Sequence, residues 1–355
     1  MEIALPTHYP EPLTRRPIMI VGAGGVVRDA HLPAYKKAGF DLAGITDIDP
    51  DKAQQLAEQF GVKCIFSDIE EAVSVLPENT IYDLATTPDQ FLNLLPFLPD
   101  GAAVLLQKPF GSNGAQTQAI YDLCKSKKLM ACVNFQLRFA PAVVAARYLI
   151  DNGFIGQVYD LEMRLTTHTP WEIFPLSAYA DRLEIMYHSI HYIDLIRSFL
   201  DEPASVMAKT CGHPLKSFDS TRSTILLDYG DTVRAVINTN HDHNFGNRHQ
   251  ESYLKIEGTK GAVKIGLGVL LNYPEGLPDT FEYYIEGEDG KGEWRSPAIE
   301  GTWFPDAFAG SMRSLMSYAE GNAISLPTSV DDAFRTMHWV ECAYRSSVLG
   351  GVSVL

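Results

Sequence analysis

The sequence predicts an α/β protein in two parts: an N-terminal doubly wound parallel sheet, then a C-terminal α+β domain with a large, mainly antiparallel open sheet. Three observations predict it. Over the first 135 residues short apolar runs alternate with helical patterns, the signature of βαβ crossovers. From Ala204 to Ile265 strand-like segments follow one another with no helix between them, which requires antiparallel or mixed pairing. The length of 355 residues also exceeds what one hydrophobic core usually organises. Domains over residues 1–135 and 136–355 are therefore expected.

The elements follow in order. Ile18–Val21 is a compact apolar strand running into Gly22-Ala23-Gly24-Gly25 and a helix. Leu42–Thr46 is a second strand, ending at Asp47. Pro50–Phe60 reads as a helix, with Pro50 suited to its first turn and Gly61 to its stop. Ser67 and Glu70 make a capping-box signature for the next helix. Tyr82–Ala85, Val104–Leu106 and Met130–Phe135 are further buried strands. Beyond them a helix over Ala142–Asn152 ends at Gly153, and Gly156-Gln157-Val158 opens a strand through Thr167. An irregular stretch around Trp171 leads into a helix over Ile185–Leu200. Strands at Val206–Thr210, Arg222–Asp228, Thr232–Thr239, Ser252–Glu257 and Ala262–Ile265 come next, with hairpin turns at Gly230-Asp231 and Gly258 to Gly261. Helices over Pro305–Glu320 and Val330–Val348 close the chain and are expected to cover one face of the C-terminal sheet. Its other face has no cover within the chain, so a homodimer or homotetramer through that sheet is expected.

Composition narrows the function. The formal net charge of −15 argues against nucleic-acid or anionic-membrane partners, which call for a basic face. Phosphates can still be held by backbone N–H groups. Cys64, Cys124, Cys132, Cys211 and Cys342 are odd in number, form no C-x-x-C pair and have mostly apolar neighbours, the pattern of buried free thiols in a reducing compartment. Met1 to Arg16 holds no apolar core of signal-peptide length, and no apolar run approaches the ~20 residues that span a bilayer. A cytoplasmic protein is expected.

Gly22-x-Gly24-Gly25 lies between a strand and a helix. Glycine there lets the backbone turn tightly and approach a pyrophosphate, which the helix N-terminus, opening through Val26 and Val27, then receives. Val27 stands where G-x-G-x-x-G has its third glycine. Asp47 ends the second strand 25 residues after Gly22, close to the usual spacing of ~20 for the carboxylate that binds adenosine ribose hydroxyls. Ile48 follows it, not an arginine that would pair with a 2′-phosphate. NAD is therefore expected in preference to NADP; the alternative is that Asp47 caps the turn before Asp49-Pro50. Thr86-Thr87-Pro88 ends a strand at the carboxyl edge, where ligands of open α/β sheets bind.

Lys108, after Val104-Leu105-Leu106-Gln107 and before Pro109, lies at the same edge. It can hold or move a substrate proton there, or be a solvated surface lysine. With His31-Leu32-Pro33-Ala34, Asn134 through Arg138, and His191 with Asp194-Leu195, these features make the chain resemble the glucose–fructose oxidoreductase / inositol dehydrogenase family over nearly its whole length. Gln107-Lys108-Pro109 is similar to that family's Glu-Lys-Pro. The resemblance implies a Rossmann domain binding NAD through Gly22, Gly24, Gly25, Val26, Val27, Asp47, Thr86, Thr87, Pro88, Gln107, Lys108 and Gln136. It implies a lysine and a histidine of the second domain acting on a carbinol, carried over as Lys108 and His191, and a Lys108–Pro109 bond that is cis.

The residue types suit that chemistry. Removing a hydroxyl proton while hydride leaves needs a base with a pKa near working pH, as imidazole has at ~6.5. A lysine stabilises the developing alkoxide. His188, His191 and Asp194 are spaced for roughly one helix face. The chain departs from the family at Gln107, at Tyr187 (where many relatives carry a catalytic aspartate) and at Arg182-Leu183-Glu184 in place of a glycine-rich run. Tyr187 or His188 is then expected in the aspartate's place. Arg138, Arg164, His188, His243 and His249 are candidates to bind substrate, and Trp171 and Trp303 to stack on a sugar or simply to pack. His241, Asp242, His243 and His249 form a polar cluster that can equally be a substrate site, a plain loop or, least favoured, a metal site; no metal is assigned. The expected activity is NAD-dependent hydride transfer with a hydroxyl of a monosaccharide, sugar acid or inositol. Alternatives are redox-neutral elimination or glycoside cleavage through transient oxidation, or a sugar sensor without catalysis.

Overall fold

The computed structural model describes residues 3–171 and 182–352. The chain forms two compact units: His8–Phe139 with Phe304–Met337, and Ala140–Trp303 with the two chain ends. Part of the irregular stretch expected after Trp171, and the first two residues of the N-terminal arm, lie outside the described residues. Among the described residues no helix is long and apolar enough to cross a membrane.

The first unit holds six parallel strands in the order β3-β2-β1-β4-β5-β6. These are β1 (Pro17–Val21), β2 (Asp41–Thr46), β3 (Cys64–Ile65), β4 (Ile81–Leu84), β5 (Ala103–Leu106) and β6 (Met130–Val133). The central strands are buried and mostly apolar because helices cover both faces, with Asp83 of β4 a buried exception. Helices α1 (Leu32–Lys37, entered through a wide turn over Val27–His31), α2 (Pro50–Phe60), α3 (Ile69–Val75), α4 (Pro88–Leu94) and α5 (Gly114–Ser126) are the crossovers. Asp49 accepts the Lys52 N–H to start α2, and Gly61, at φ +76°, ends it. The capping box of α3 sits one residue later than the sequence reading. Asp68 accepts from Glu71 N at 2.9 Å, and the Glu71 carboxylate accepts from Ser67 N at 2.8 Å; a carboxylate at the cap wins over the serine.

The fate of the last helices differs from expectation. After α6 (Pro141–Asp151) and α7 (Ile190–Leu200) come α8 (Asp306–Ala319) and α9 (Val330–Leu349). Helix α8 does not cover the C-terminal sheet. Phe308, Met312, Leu315 and Met316 of α8 are buried in the core of the first unit, with Ile18, Ile20 and Leu105. The residue pattern shows that a helix buries one face; it does not say against which sheet.

The second unit is built on eight strands in the order β14-β13-β12-β11-β7-β10-β9-β8. They are β7 (Val158–Thr166), β8 (Ser205–Cys211), β9 (Arg222–Asp228), β10 (Arg234–Asn240), β11 (Glu251–Gly258), β12 (Gly261–Gly266), β13 (Thr280–Ile285) and β14 (Trp294–Arg295). All pairs are antiparallel except β7 with β10. Leu161, Met163 and Leu165 of β7 and Ala235 and Ile237 of β10 are buried, and α6 and α7 pack on this sheet. The alternate residues carry polar pairs such as Arg234–Asp160 at 2.8 Å and Tyr253–Glu162 at 2.9 Å. The free edge of β8 is closed by α9, whose Ser346 and Ser347 hydroxyls accept the N–H groups of Ala208 and Thr210. Two of the thiols expected to be buried, Cys64 and Cys211, are exposed, because each lies on a marginal strand of its sheet.

Candidate active site

In a parallel sheet all strand ends of one kind lie along one edge, so β1, β2, β4, β5 and β6 bring their following residues into a row. Gly22, after β1, has φ +112°, and a Cβ there would lie 2.7 Å from the Ala85 carbonyl after β4. Glycine is required. Gly24 is different: a Cβ there would meet nothing within 4 Å, so no neighbour in the fold demands glycine. Gly24 and Gly25 are exposed, and Val26 and Val27 lead into the helix with Val27 buried. Asp47, after β2, is held by two peptide groups. Its Oδ2 accepts from Ala23 N at 2.5 Å and its Oδ1 from Asp49 N at 2.9 Å. It thus caps the turn and points at the glycine loop at once.

Thr86 and Thr87 follow β4, beside Gly22, and Pro88 is buried at the start of α4. Gln107 and Lys108 follow β5; the Lys108–Pro109 bond is cis. Burial lowers the Lys108 ammonium from 10.5 to about 8, since a low-dielectric setting disfavours the charge. Gln136, in the turn after β6, is buried, and its Oε1 lacks a hydrogen-bond partner among the described residues. A loop open to an approaching ligand, a fixed carboxylate and an orphaned amide oxygen fit a dinucleotide. Gly22 to Val27 would receive its phosphates and Asp47 a ribose hydroxyl.

Arg138, two residues on, is committed inside this unit: its guanidinium donates to the Pro327 carbonyl at 2.9 Å and the Asp332 carboxylate at 2.5 Å.

In the second unit, the expected helix over Ile185–Leu200 divides into a wide turn, Ile185–Ser189, and α7. The wide turn breaks the regular α-helical period from which one face for His188, His191 and Asp194 was expected. His191, 5% exposed, meets Trp303 edge-on at 5.7 Å between ring centroids. Asp194 is buried and Tyr187 half-buried. His188 packs on His241 with ring centroids 4.4 Å apart, and Trp171 meets both at 5.4 and 5.3 Å. His241 is bonded to Thr169 Oγ1 at 2.9 Å and lies 3.7 Å from the buried Glu184 carboxylate, which accepts from Ser189 Oγ at 2.8 Å.

The other candidates are placed apart from this group. Arg164 is on the polar face of β7 and pairs with Glu251 at 3.1 Å, while its buried neighbours Met163 and Leu165 face the other way. His243 bonds the Arg248 carbonyl at 2.9 Å, and His249 is exposed with φ +68°. His241 and Glu184 carry the interactions that sequence reasoning sought at His243 and His249. The alternation Ala235, Ile237, Thr239 points to position 241 as buried; nothing in the sequence marks Glu184. Among the described residues no group of three or more His, Cys, Asp or Glu is placed to hold a metal ion.

A doubly wound sheet with a glycine loop and an acidic second-strand end defines a dinucleotide-binding protein. The particular family is shown by direct comparison: residues 16–135 match the GFO/IDH/MocA oxidoreductase family with its NAD-binding Rossmann fold, and residues 143–264 match the GFO/IDH/MocA C-terminal domain. The chain belongs to this family and is an NAD-binding oxidoreductase. An inositol 2-dehydrogenase of Rhizobium meliloti is 24% identical over 92% of this chain and 95% of its own. A D-apiose dehydrogenase of Rhizobium rhizogenes is 23% identical over 67% of this chain and 70% of its own. Among solved structures, an oxidoreductase from Agrobacterium radiobacter in complex with NAD+, L-tartaric acid and magnesium superposes with TM-score 0.77 at 20% identity, covering 94% of this chain and 97% of its own. A levoglucosan dehydrogenase in complex with NADH and levoglucosan superposes with TM-score 0.74 at 18% identity, covering 95% and 98%.

Proposed function

We propose that this chain is an NAD-dependent dehydrogenase acting on a secondary or anomeric hydroxyl of a monosaccharide, sugar acid or inositol. The observation that carries the reading is the row at the sheet's carboxyl edge, where the glycine loop, Asp47 and a lysine titrating near 8 stand together. The names of the relatives, dehydrogenases of inositol and of sugars, support the substrate class. NAD, when bound, supplies the hydride acceptor. His191 takes the proton of the substrate hydroxyl, with its ring held against Trp303. Lys108 donates a hydrogen bond to the oxygen as its charge grows and so stabilises the alkoxide. Asp47 favours NAD over NADP, because a fixed carboxylate repels a 2′-phosphate. Tyr187 or His188 serves in the place of the family's catalytic aspartate.

The test is NADH absorbance with wild type, Lys108→Ala and His191→Ala across a panel of polyols, aldoses and sugar acids. A substrate whose turnover drops about 100-fold or more in either variant, with NAD outperforming NADP, supports the reading. Substrate conversion without net NADH would instead mark redox-neutral chemistry. Tight NAD binding with no conversion of any sugar would mark a sensor.

A further inference from the structure

Beneath the carboxyl edge of the parallel sheet lies a group of buried polar side chains that the proposed reaction leaves unused. His31, Tyr35 and Asp83 are each 0% exposed and Gln107 is 7%. A buried donor or acceptor left unpaired is costly, so the bonds among them constrain one another. The donors can be assigned one by one.

The Lys108 N–H can only donate, so the Gln107 atom 2.8 Å away is Oε1. The other end of that amide, Nε2, can then only donate, and it lies 3.1 Å from His31 Nε2. The Asn134 amide nitrogen approaches the same ring atom at 3.5 Å. That ring nitrogen accepts and carries no proton. The proton of His31 is therefore on Nδ1, directed at Asp83 Oδ2 at 2.6 Å. The same oxygen accepts from Tyr35 Oη at 2.8 Å. The bonds run one way, from the Lys108 peptide through Gln107 and His31 to the Asp83 carboxylate, and each link polarises the next.

We propose that Gln107 is a positioning residue for Lys108: its amide ties the Lys108 peptide to a neutral, singly protonated His31 anchored on Asp83, and the tie sets where the Lys108 side chain points. The proposal rests on the reading of Lys108 as the group that meets the substrate oxygen. Pro109 has no N–H, so the Lys108 N–H is the one peptide donor by which this dipeptide can be held. Glutamine suits the place because one planar group offers both an acceptor and a donor. Glutamate would keep the acceptor for Lys108 but turn a second acceptor toward His31 Nε2, so the ring would have to take a second proton. Methionine, of similar length, offers neither bond.

The experiment combines a ring spectrum with kinetics. With 15N-labelled histidine, the His31 nitrogens are assigned by through-space contact with Tyr35 in wild type and Gln107→Glu. Wild type is expected to show a proton on Nδ1 alone, and Gln107→Glu a proton on both nitrogens. Gln107→Met is expected to lower kcat about 10- to 100-fold, the cost of a displacement near 1 Å, with a smaller change in KM. Gln107→Glu, which keeps the acceptor for the Lys108 N–H, should lose less kcat than Gln107→Met. Because the wild-type spectrum needs no variant, a Gln107→Met protein that failed to fold would leave the test standing on Gln107→Glu. A wild-type proton on His31 Nε2, or an unchanged ring spectrum in Gln107→Glu, overturns the assignment. Wild-type kcat in Gln107→Met beside a crippled Lys108→Ala overturns the positioning role alone. Wild-type kcat in Lys108→Ala overturns the reading of Lys108, and the positioning role with it.

Discussion

Lys108 has conflicting demands on it: burial lowers its ammonium from 10.5 to about 8, and the charged form is the one that stabilises an alkoxide. Between those two values the unfolded chain binds more protons than the folded one, so this residue makes stability rise with pH across that window. Below about pH 8 both states are protonated and the cost of burying the charge is present in full. Lys108→Met is therefore expected to stabilise the protein at pH 7 by roughly 1–3 kcal/mol, at about 1.4 kcal/mol for each change of one in pKa and less where solvent screens the site. The gain should shrink as pH rises through 8 toward 10, while activity is lost at every pH. Thermal unfolding of both proteins at pH 7 and pH 10 checks it; an equal gain at both would show that the buried charge is not the cause. At this scale Lys108 and Asp47 could be singled out because a strand end announces itself in local pattern, whereas His191 was singled out by the family resemblance. The partners of His241 and Glu184 were not legible, since Thr169, His188 and Ser189 come from separate segments.

At the scale of single elements, the glycine loop separates two uses of one residue type. Gly22 serves the fold, and Gly24 has open space around it. Gly22→Ala is expected to lower stability by about 1–3 kcal/mol through strain and the clash with the Ala85 carbonyl. Gly24→Val should leave stability within about 0.5 kcal/mol yet weaken NAD binding tenfold or more, because its side chain occupies the approach to the loop. Thermal melts with calorimetric titration of NAD distinguish the two, and unaltered NAD affinity in Gly24→Val would remove the loop from the cofactor site. Element boundaries were read well wherever glycine or proline punctuates them, as at Pro50 and Gly61. The reading failed where a competing group was available. Asp68 displaced Ser67 as cap, and the wide turn over Ile185–Ser189 broke a helical period that the sequence carries without a marker.

For the whole molecule, the first unit is discontinuous: α8 returns to it from far along the chain. Phe308, Met312, Leu315 and Met316 are at most 1% exposed, and each contributes about 1.5–3 kcal/mol on burial, together comparable to the ~5–15 kcal/mol that stabilises a domain. A fragment of residues 8–139 is therefore expected to unfold in urea without a cooperative transition, whereas the same fragment linked to residues 304–337 should regain one. Circular dichroism across a urea series decides between them, and cooperative unfolding of the short fragment would show α8 to be dispensable. The sequence by itself determined the two sheets and the place of the glycine loop, because periodicity, glycine turns and strand ends are local properties that neighbouring residues carry. Only the tertiary structure decided which sheet α8 covers, that Arg138 and Arg164 are bound up in ion pairs, and that His31, Asp83 and Gln107 form one directed chain beneath Lys108. Those depend on which buried donor meets which acceptor across strands far apart in sequence, and no local pattern encodes that.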